Sequence, residues 1–379
     1  MAFAVRLSKQ QNRHPQTLIQ GITLRYGRKR GISMRKFEGF QKGVNLGGWI
    51  SQFDSYDRAH FDSFITEKDI KEIASLGFDH VRIPVDYVLF EEEDGTPKED
   101  GFHYLDLCRA WCEKYGLRLL IDLHECYGYS FDPLKQLDRE KFFYDSQLQE
   151  RFLRLWSRIA RHYAAFPEQV AFEPLNEVVL EKVADAWNQV AGAYIRMMRT
   201  IVPDSYLVIG GVCYSSVTCV PLLNLPLDDR IIYNFHCYEP IIFTHQGAYW
   251  VDRMPQDFRI GYPQDLEVYR EAVKRLVLSE ELSGAVFKEG IHQTGEGFFE
   301  DIFAPAVEKA EKDNVPLYCG EYGVIDLADS QDALRWLKDI HTVMDRHGIG
   351  RALWNYKEKD FGFSGEKFSE IREDFIRIL

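Results

Sequence analysis

Short apolar runs recur along this chain at intervals that leave room for a helix after most of them. Eight read as strands: Gly43–Leu46, His80–Val85, Leu119–Leu123, Val170–Leu175, Leu207–Gly210, Ile231–Phe235, Leu317–Gly320 and Ala352–Trp354. Between most of them lie stretches whose apolar residues fall three and four apart, the spacing that lines one face of a helix. These are Glu67–Leu76, Tyr104–Tyr115, Gln147–Ala164, Val183–Ile201, Phe303–Asp313 and Asp332–His347. Gly77, Gly116, Asn314 and Gly348 stand where four of them end, and glycine or asparagine there suits a helix stop. Strand and helix in eightfold alternation predict an α/β chain folded as a (β/α)8 TIM barrel, with the chemistry at the carboxyl ends of the strands. An open doubly wound sheet would place a glycine-rich phosphate loop and a helix after its first strand. Here Gly43-Val44-Asn45-Leu46-Gly47-Gly48-Trp49 runs into aromatic residues instead.

One interval breaks the rhythm. More than sixty residues separate strand six from the helix near Phe303, too many for a barrel loop. Phe243, Tyr249, Trp250 and Tyr262 lie in it, followed by a charged helical stretch from Gln264 to Leu282. An inserted subdomain over about 241–300 is expected, leaving the carboxyl end of a strand and rising over the site.

Composition bounds the rest. With 379 residues and 45% hydrophobic content, the chain can bury a large core, and no run approaches the ~18 apolar residues of a membrane helix. A net charge of −13 argues against a nucleic-acid partner or an anionic membrane, both of which favour a basic face. Residues 1–33 differ from the remainder: they hold seven basic residues and no acid, so that without them 39 basic residues stand against 59 acidic, a net of −20. This segment reads as a disordered basic extension, or as the product of a start placed upstream of Met34, and the catalytic barrel as residues 34–379. It lacks the apolar run of a secretory signal. With seven cysteines, an odd number, reduced thiols and a cytoplasmic location are expected.

The strand ends collect a consistent set of side chains. Glu177 closes strand four after Asn176, and Glu321 closes strand seven; Arg82, His124, His236, Tyr238 and Trp354 stand at the ends of strands two, three, six and eight. Two carboxylates facing one another across a barrel mouth can cleave a glycosidic bond, one protonating the leaving oxygen and the other attacking the anomeric carbon. Arg82 beside Glu321 would favour its ionised form, and Tyr238 could donate to it. Asn176 suits a sugar 2-hydroxyl, His124 and His236 suit hydroxyls or the acid, and Trp354 offers a flat face to a pyranose. Trp49, Tyr56, Tyr127, Tyr129 and Trp250 are further stacking candidates. His124-Glu125 has no second histidine at helical spacing, so a zinc site of the protease type is not expected.

Arg82, His124, Asn176-Glu177, His236, Tyr238, Glu321 and Trp354 resemble, in order and context, the eight active-site positions of glycoside hydrolase family 5, over residues 34–379. Gly43-Val44-Asn45-Leu46-Gly47-Gly48-Trp49-Ile50-Ser51-Gln52, Leu175-Asn176-Glu177-Val178-Val179, Tyr318-Cys319-Gly320-Glu321 and Trp354-Asn355-Tyr356-Lys357 are similar to the clostridial endoglucanase C branch, which also carries a subdomain after strand six. The resemblance implies a retaining endo-β-glucanase needing no cofactor or metal, with Glu177 as acid/base and Glu321 as nucleophile, their carboxyl groups ~5 Å apart. Its substrate would be the β-1,4 bonds of soluble or mixed-linkage β-1,3-1,4-glucans and cello-oligosaccharides. A β-mannanase or β-1,3-glucanase would use the same set, and a non-catalytic sugar-binding barrel would lack one carboxylate. Glu125-Cys126 departs from the pattern, since many relatives have a second histidine after His124. A third carboxylate there would perturb Glu177 or alter a sugar subsite.

Overall fold

The computed structural model describes residues 34–278 and 284–379; the basic extension expected over residues 1–33 lies outside the described residues. Eight strands, β1 (Lys42–Asn45), β2 (His80–Asp86), β3 (Arg118–Glu125), β4 (Val170–Glu173), β5 (Leu207–Gly210), β6 (Ile231–Cys237), β7 (Leu317–Tyr322) and β8 (Gly350–Leu353), form a closed barrel in sequence order. Every neighbouring pair is parallel. Parallel strands covered by helices are buried on both faces, which is why the strands read as short apolar runs.

Alternate residues of each strand point into the barrel, and their character changes with height. Leu120, Ala171, Val208, Ile232, Tyr318 and Ala352 make an apolar layer at the amino ends, closed below by Phe37 and Phe40, whose rings stack 4.2 Å apart. Two residues further along come Arg82, Asp122, Glu173 and Asn234, all wholly buried. Two further still stand His124 and His236. The register slips at the carboxyl ends of β2, β6 and β7, and such bulges re-aim side chains beside a site.

Helices follow as the spacing predicts: Glu67–Ser75, Asp100–Tyr115, Ser146–Tyr163, Ala184–Arg199, Glu296–Asp313 and Ser330–His347. Asp145 and Asp329 cap two of them by accepting from the second and third amides of each helix's first turn. Gly116, Asn314 and Gly348 stop three in the left-handed conformation. Two departures stand out. A helix over Arg58–Phe64 precedes the first expected one, and after β5 a four-residue turn of helix at Val212–Ser215 and a 3-10 stretch over Val217–Leu222 take the place of a full helix.

The long interval after β6 holds short helices at Ile241–Thr244 and Leu266–Leu276. Its buried Phe243, Tyr262, Leu266 and Tyr269 belong to the same apolar core as the barrel. Tyr262 donates to Asp339 (2.8 Å) on the helix Ser330–His347. Residues 34–379 form one compact unit, so this segment does not separate as a body of its own.

Candidate active site

The inward side chains at the carboxyl ends of the strands converge on a buried guanidinium. Arg82 donates from Nε and Nη2 to Glu173 (2.8 and 3.0 Å), from Nη1 to Glu321 Oε1 (2.8 Å) and Asn45 Oδ1 (2.9 Å), and from Nη2 to Asn176 Oδ1 (2.7 Å). Its five N–H groups are thereby all used. Glu321 also accepts from the Tyr238 hydroxyl at Oε2 (2.9 Å). Tyr238 is itself held through its carbonyl by the Thr244 hydroxyl.

Across the mouth, Glu177 Oε1 lies 2.7 Å from His236 Nδ1, and the same ring nitrogen is 3.7 Å from Glu321 Oε2. One oxygen of each glutamate and the imidazole nitrogen all fall within 4.8 Å of one another. Among the described residues this is the trio that comes close enough to hold a metal ion. Its chemistry suits a proton better: both oxygens of Glu321 already accept, from Arg82 and Tyr238, and the Glu177–His236 contact is a hydrogen bond that a cation would have to break. The backbone under Glu177 is fixed by the buried Tyr129 hydroxyl, which donates to Glu177 O (2.7 Å) and accepts from Val179 N (2.9 Å). Ser215 Oγ donates to Asn176 O (3.0 Å).

Burial sets the electrostatics. It pushes the Glu177 carboxyl well above the ordinary range, and the charge of Glu321 pushes it further. Glu321 is also raised by burial, with Arg82 and the Tyr238 hydrogen bond pulling it part of the way back. Arg82 and Tyr238 thus favour the ionised form as expected, but desolvation outweighs them and the net direction is upward. Burial keeps both imidazoles neutral, His124 at about 3 and His236 well below its usual value. Asp122 orients His124, whose Nδ1 lies 2.6 Å from Asp122 Oδ2. Among the described residues, His124 Nε2, His236 Nε2 and Asn176 Nδ2 are buried with no hydrogen-bond partner. An unmade buried hydrogen bond costs about 1–3 kcal/mol, so these atoms are available to hydroxyls, of water or of a sugar.

The Trp354 ring lies parallel to His124, centroids 5.8 Å apart at 4°. Gly47 makes room for it, since a Cβ there would sit 2.5 Å from the indole. Asn355 holds that approach by bonding both N and O of Gly47 (2.9 and 2.8 Å).

Not all expected residues join this group. Trp49 is wholly enclosed, donates to Phe61 O (2.7 Å) and stacks on Trp111 (6.4 Å, 17°). It is a core residue and has no face for a sugar. Tyr129 works through its hydroxyl on the backbone of Glu177, not as a platform. Tyr127 packs under Arg151, and Tyr56 sits at the surface bonded to Asp100. Trp250, half-buried against His245 and Phe361, is the further candidate that stays beside the Tyr238 side of the mouth. Glu125 turns to Ser130 (2.6 Å) and Lys135. Its register neighbour is Asp86, pushed up to about 8 by burial and then by the charge of Glu125. Trp49→Ala is accordingly expected to cost about 3–5 kcal/mol of stability, seen as a lower urea midpoint, with KM of the folded fraction unchanged.

Sequence reasoning gave no role to Asp122, Glu173, Asn234 or Asn45. The signal was present for two of them: Asp122 and Asn234 stand two residues before His124 and His236, hence on the same inward face.

Comparison with known proteins follows this geometry. The model of cellulase, glycosyl hydrolase family 5, matches residues 38–360. Cellodextrinase A of Ruminococcus flavefaciens is 41% identical over 318 residues, covering 84% of this chain and 86% of that protein. Endoglucanase C of Acetivibrio thermocellus is 40% identical over 343 residues, covering 90% and 98%. Among solved structures, Thermotoga maritima Cel5A in complex with cellobiose superposes with a TM-score of 0.66 at 22% identity, covering 89% of this chain and 97% of that one. That likeness speaks to the fold.

Proposed function

The chain belongs to glycosyl hydrolase family 5 as a cellulase-type glycoside hydrolase, and from that premise we propose that it cleaves internal β-1,4 bonds of soluble or mixed-linkage β-glucans and cello-oligosaccharides, with net retention. The observation that supports the mechanism is that one carboxylate oxygen of Glu177 and one of Glu321 lie within 4.8 Å of each other, which leaves no room for a water held between the two groups. Retaining enzymes hold their carboxyl groups ≈ 5–5.5 Å apart, whereas inverting ones leave ≈ 6.5–9.5 Å for a water.

In the first step Glu321 attacks the anomeric carbon while Glu177 gives its proton to the departing glycosidic oxygen. The C–O bond to the leaving sugar breaks as the ester to Glu321 forms. Esterification removes the negative charge of Glu321, the neighbour that helped hold the proton on Glu177. Glu177 becomes more acidic and now serves as base, taking a proton from the water that opens the ester. Asn176 Nδ2, buried and uncommitted among the described residues, would donate to the 2-hydroxyl, a contact that strengthens in the transition state. His124 and His236 offer neutral ring nitrogens to other hydroxyls, and Trp354 gives the glycone a flat wall.

The substrate reading draws on the relatives' names as endoglucanase and cellodextrinase. It is tested by reducing-end release from mixed-linkage β-glucan, carboxymethylcellulose, laminarin and mannan in parallel. Release from the first two supports it. Release confined to laminarin or mannan overturns the substrate and keeps the mechanism.

A further inference from the structure

Beneath the catalytic pair one cation faces three anions. Arg82 spends no N–H on Asp122, yet Asp122 Oδ2 lies 3.1 Å from its Nη2. Glu173 holds the guanidinium as a fork and is itself held by Asn234 Nδ2 (2.8 Å). Asp122, Glu173 and Arg82 are wholly buried, so none of the three is screened by water, and the positive charge that serves Glu321 is divided among competitors. We propose that Asp122 and Glu173 are positioning residues for the hydrolysis: they clamp Arg82 under the nucleophile and share its charge, so that the floor of the barrel, and not the catalytic pair alone, sets the pH range of the site.

Among the described residues, no other arginine or lysine ion-pairs with these carboxylates. Facing this group are Asn45 from β1, Arg82 from β2, Asp122 and His124 from β3, and Glu173 from β4 with Asn176 and Glu177 beyond its end. Gly210 from β5, Asn234 and His236 from β6 with Tyr238 beyond it, Tyr318, Cys319 and Glu321 from β7, and Trp354 after β8 complete the ring, with Tyr194 behind Glu173. His80, one layer below, is engaged with Tyr318 and Asp79. Both mouth histidines are kept neutral. Burial pushes Asp122 and Glu173 each up to about 7, against the pull of Arg82. Negative charge on the floor opposes ionisation of Glu321 and also holds the proton on Glu177, to which both floor carboxylates contribute. Removing one such charge moves both titrations in the same direction, to lower pH.

The inference rests on the reading of Glu321 as nucleophile, and the test separates the two. Asp122→Asn is the closest probe: its amide oxygen keeps the acceptor for His124, and its NH2 takes the place of Oδ1, which has no hydrogen-bond partner among the described residues. The bell of kcat/KM against pH on a cello-oligosaccharide is compared with the pH dependence of inactivation by a 2-deoxy-2-fluoro cellobioside with a dinitrophenyl leaving group, a step that needs no acid. The alkaline limb of the bell is expected to move about one unit to lower pH, and the acid limb and the single limb of inactivation to move the same way by less, because the floor carboxylates lose their charge as pH falls through about 7. Glu173→Gln is expected to shift the same way, with an added loss of kcat because its amide turns a donor toward Arg82. It carries the test if Asp122→Asn does not fold. A lower bell with unmoved limbs in the folded variant overturns the inference and leaves these residues as scaffolding. A parent enzyme that the fluoro sugar fails to label overturns the nucleophile assignment, and this inference with it, through a different observable.

Discussion

Glu321→Ala is expected to lower hydrolysis of cello-oligosaccharides by on the order of 10⁵-fold. The substrate Kd should stay within about threefold, because the loss falls on bond formation and not on ground-state contacts. The fold should tolerate the change, since Arg82 keeps its bidentate contact with Glu173 and no buried cation is left alone. The cavity left between Arg82 and Tyr238 should admit a small anion. Azide is therefore expected to restore turnover on an activated aryl cellobioside and to yield the α-glycosyl azide, attack having come from the face that Glu321 occupied. The product is read by NMR. A variant retaining more than a hundredth of parental activity would remove Glu321 from the role of nucleophile.

Glu177→Ala should behave differently, and the difference identifies the acid. Cleavage of an unactivated glycosidic bond should fall by about 10³–10⁴-fold, because an alkoxide would leave without a proton. Attack on a dinitrophenyl cellobioside should proceed at nearly the parental rate, since that leaving group needs none. The second step then lacks its base, so the ester to Glu321 accumulates and pre-steady-state release of dinitrophenol shows a burst. Azide should speed that second step and give the β-glycosyl azide. Equal losses on both substrates would show that Glu177 does not transfer the proton.

Much of this was legible in the sequence, for a definite reason. A parallel barrel buries both faces of its strands, so each appears as a short apolar run interrupted only where an inward residue carries chemistry. His80–Asp86 and Ile231–Cys237 show it, with Arg82, Asn234 and His236 standing among apolar neighbours. Glu177 and Glu321 were visible as candidates because they sit near strand ends, where polarity resumes. Boundaries were less so: β4 ends at Glu173, and Pro174–Asn176 lead on to Glu177 outside the ladder.

The misses have physical causes too. Trp49 follows β1 as Trp354 follows β8, and composition does not say which indole faces the mouth. The structure separates them by their partners, Trp111 and the Phe61 carbonyl for one and His124 for the other. The net direction of the Glu321 carboxyl was also hidden, because the sequence discloses the neighbouring arginine but not the depth of burial or the two other carboxylates drawing on the same charge. The interval after β6 was legible as an inserted segment by its length, but not in how it packs. Its apolar residues extend the barrel's own core.

Two carboxylates acting in succession through a covalent ester are the centre of the proposed mechanism. The most direct measurement is proton NMR of the first product formed from a cello-oligosaccharide, recorded before mutarotation. Double displacement across the Glu177–Glu321 pair predicts that the β-anomer appears first and the α-anomer grows in only as mutarotation proceeds. The α-anomer appearing first would contradict it.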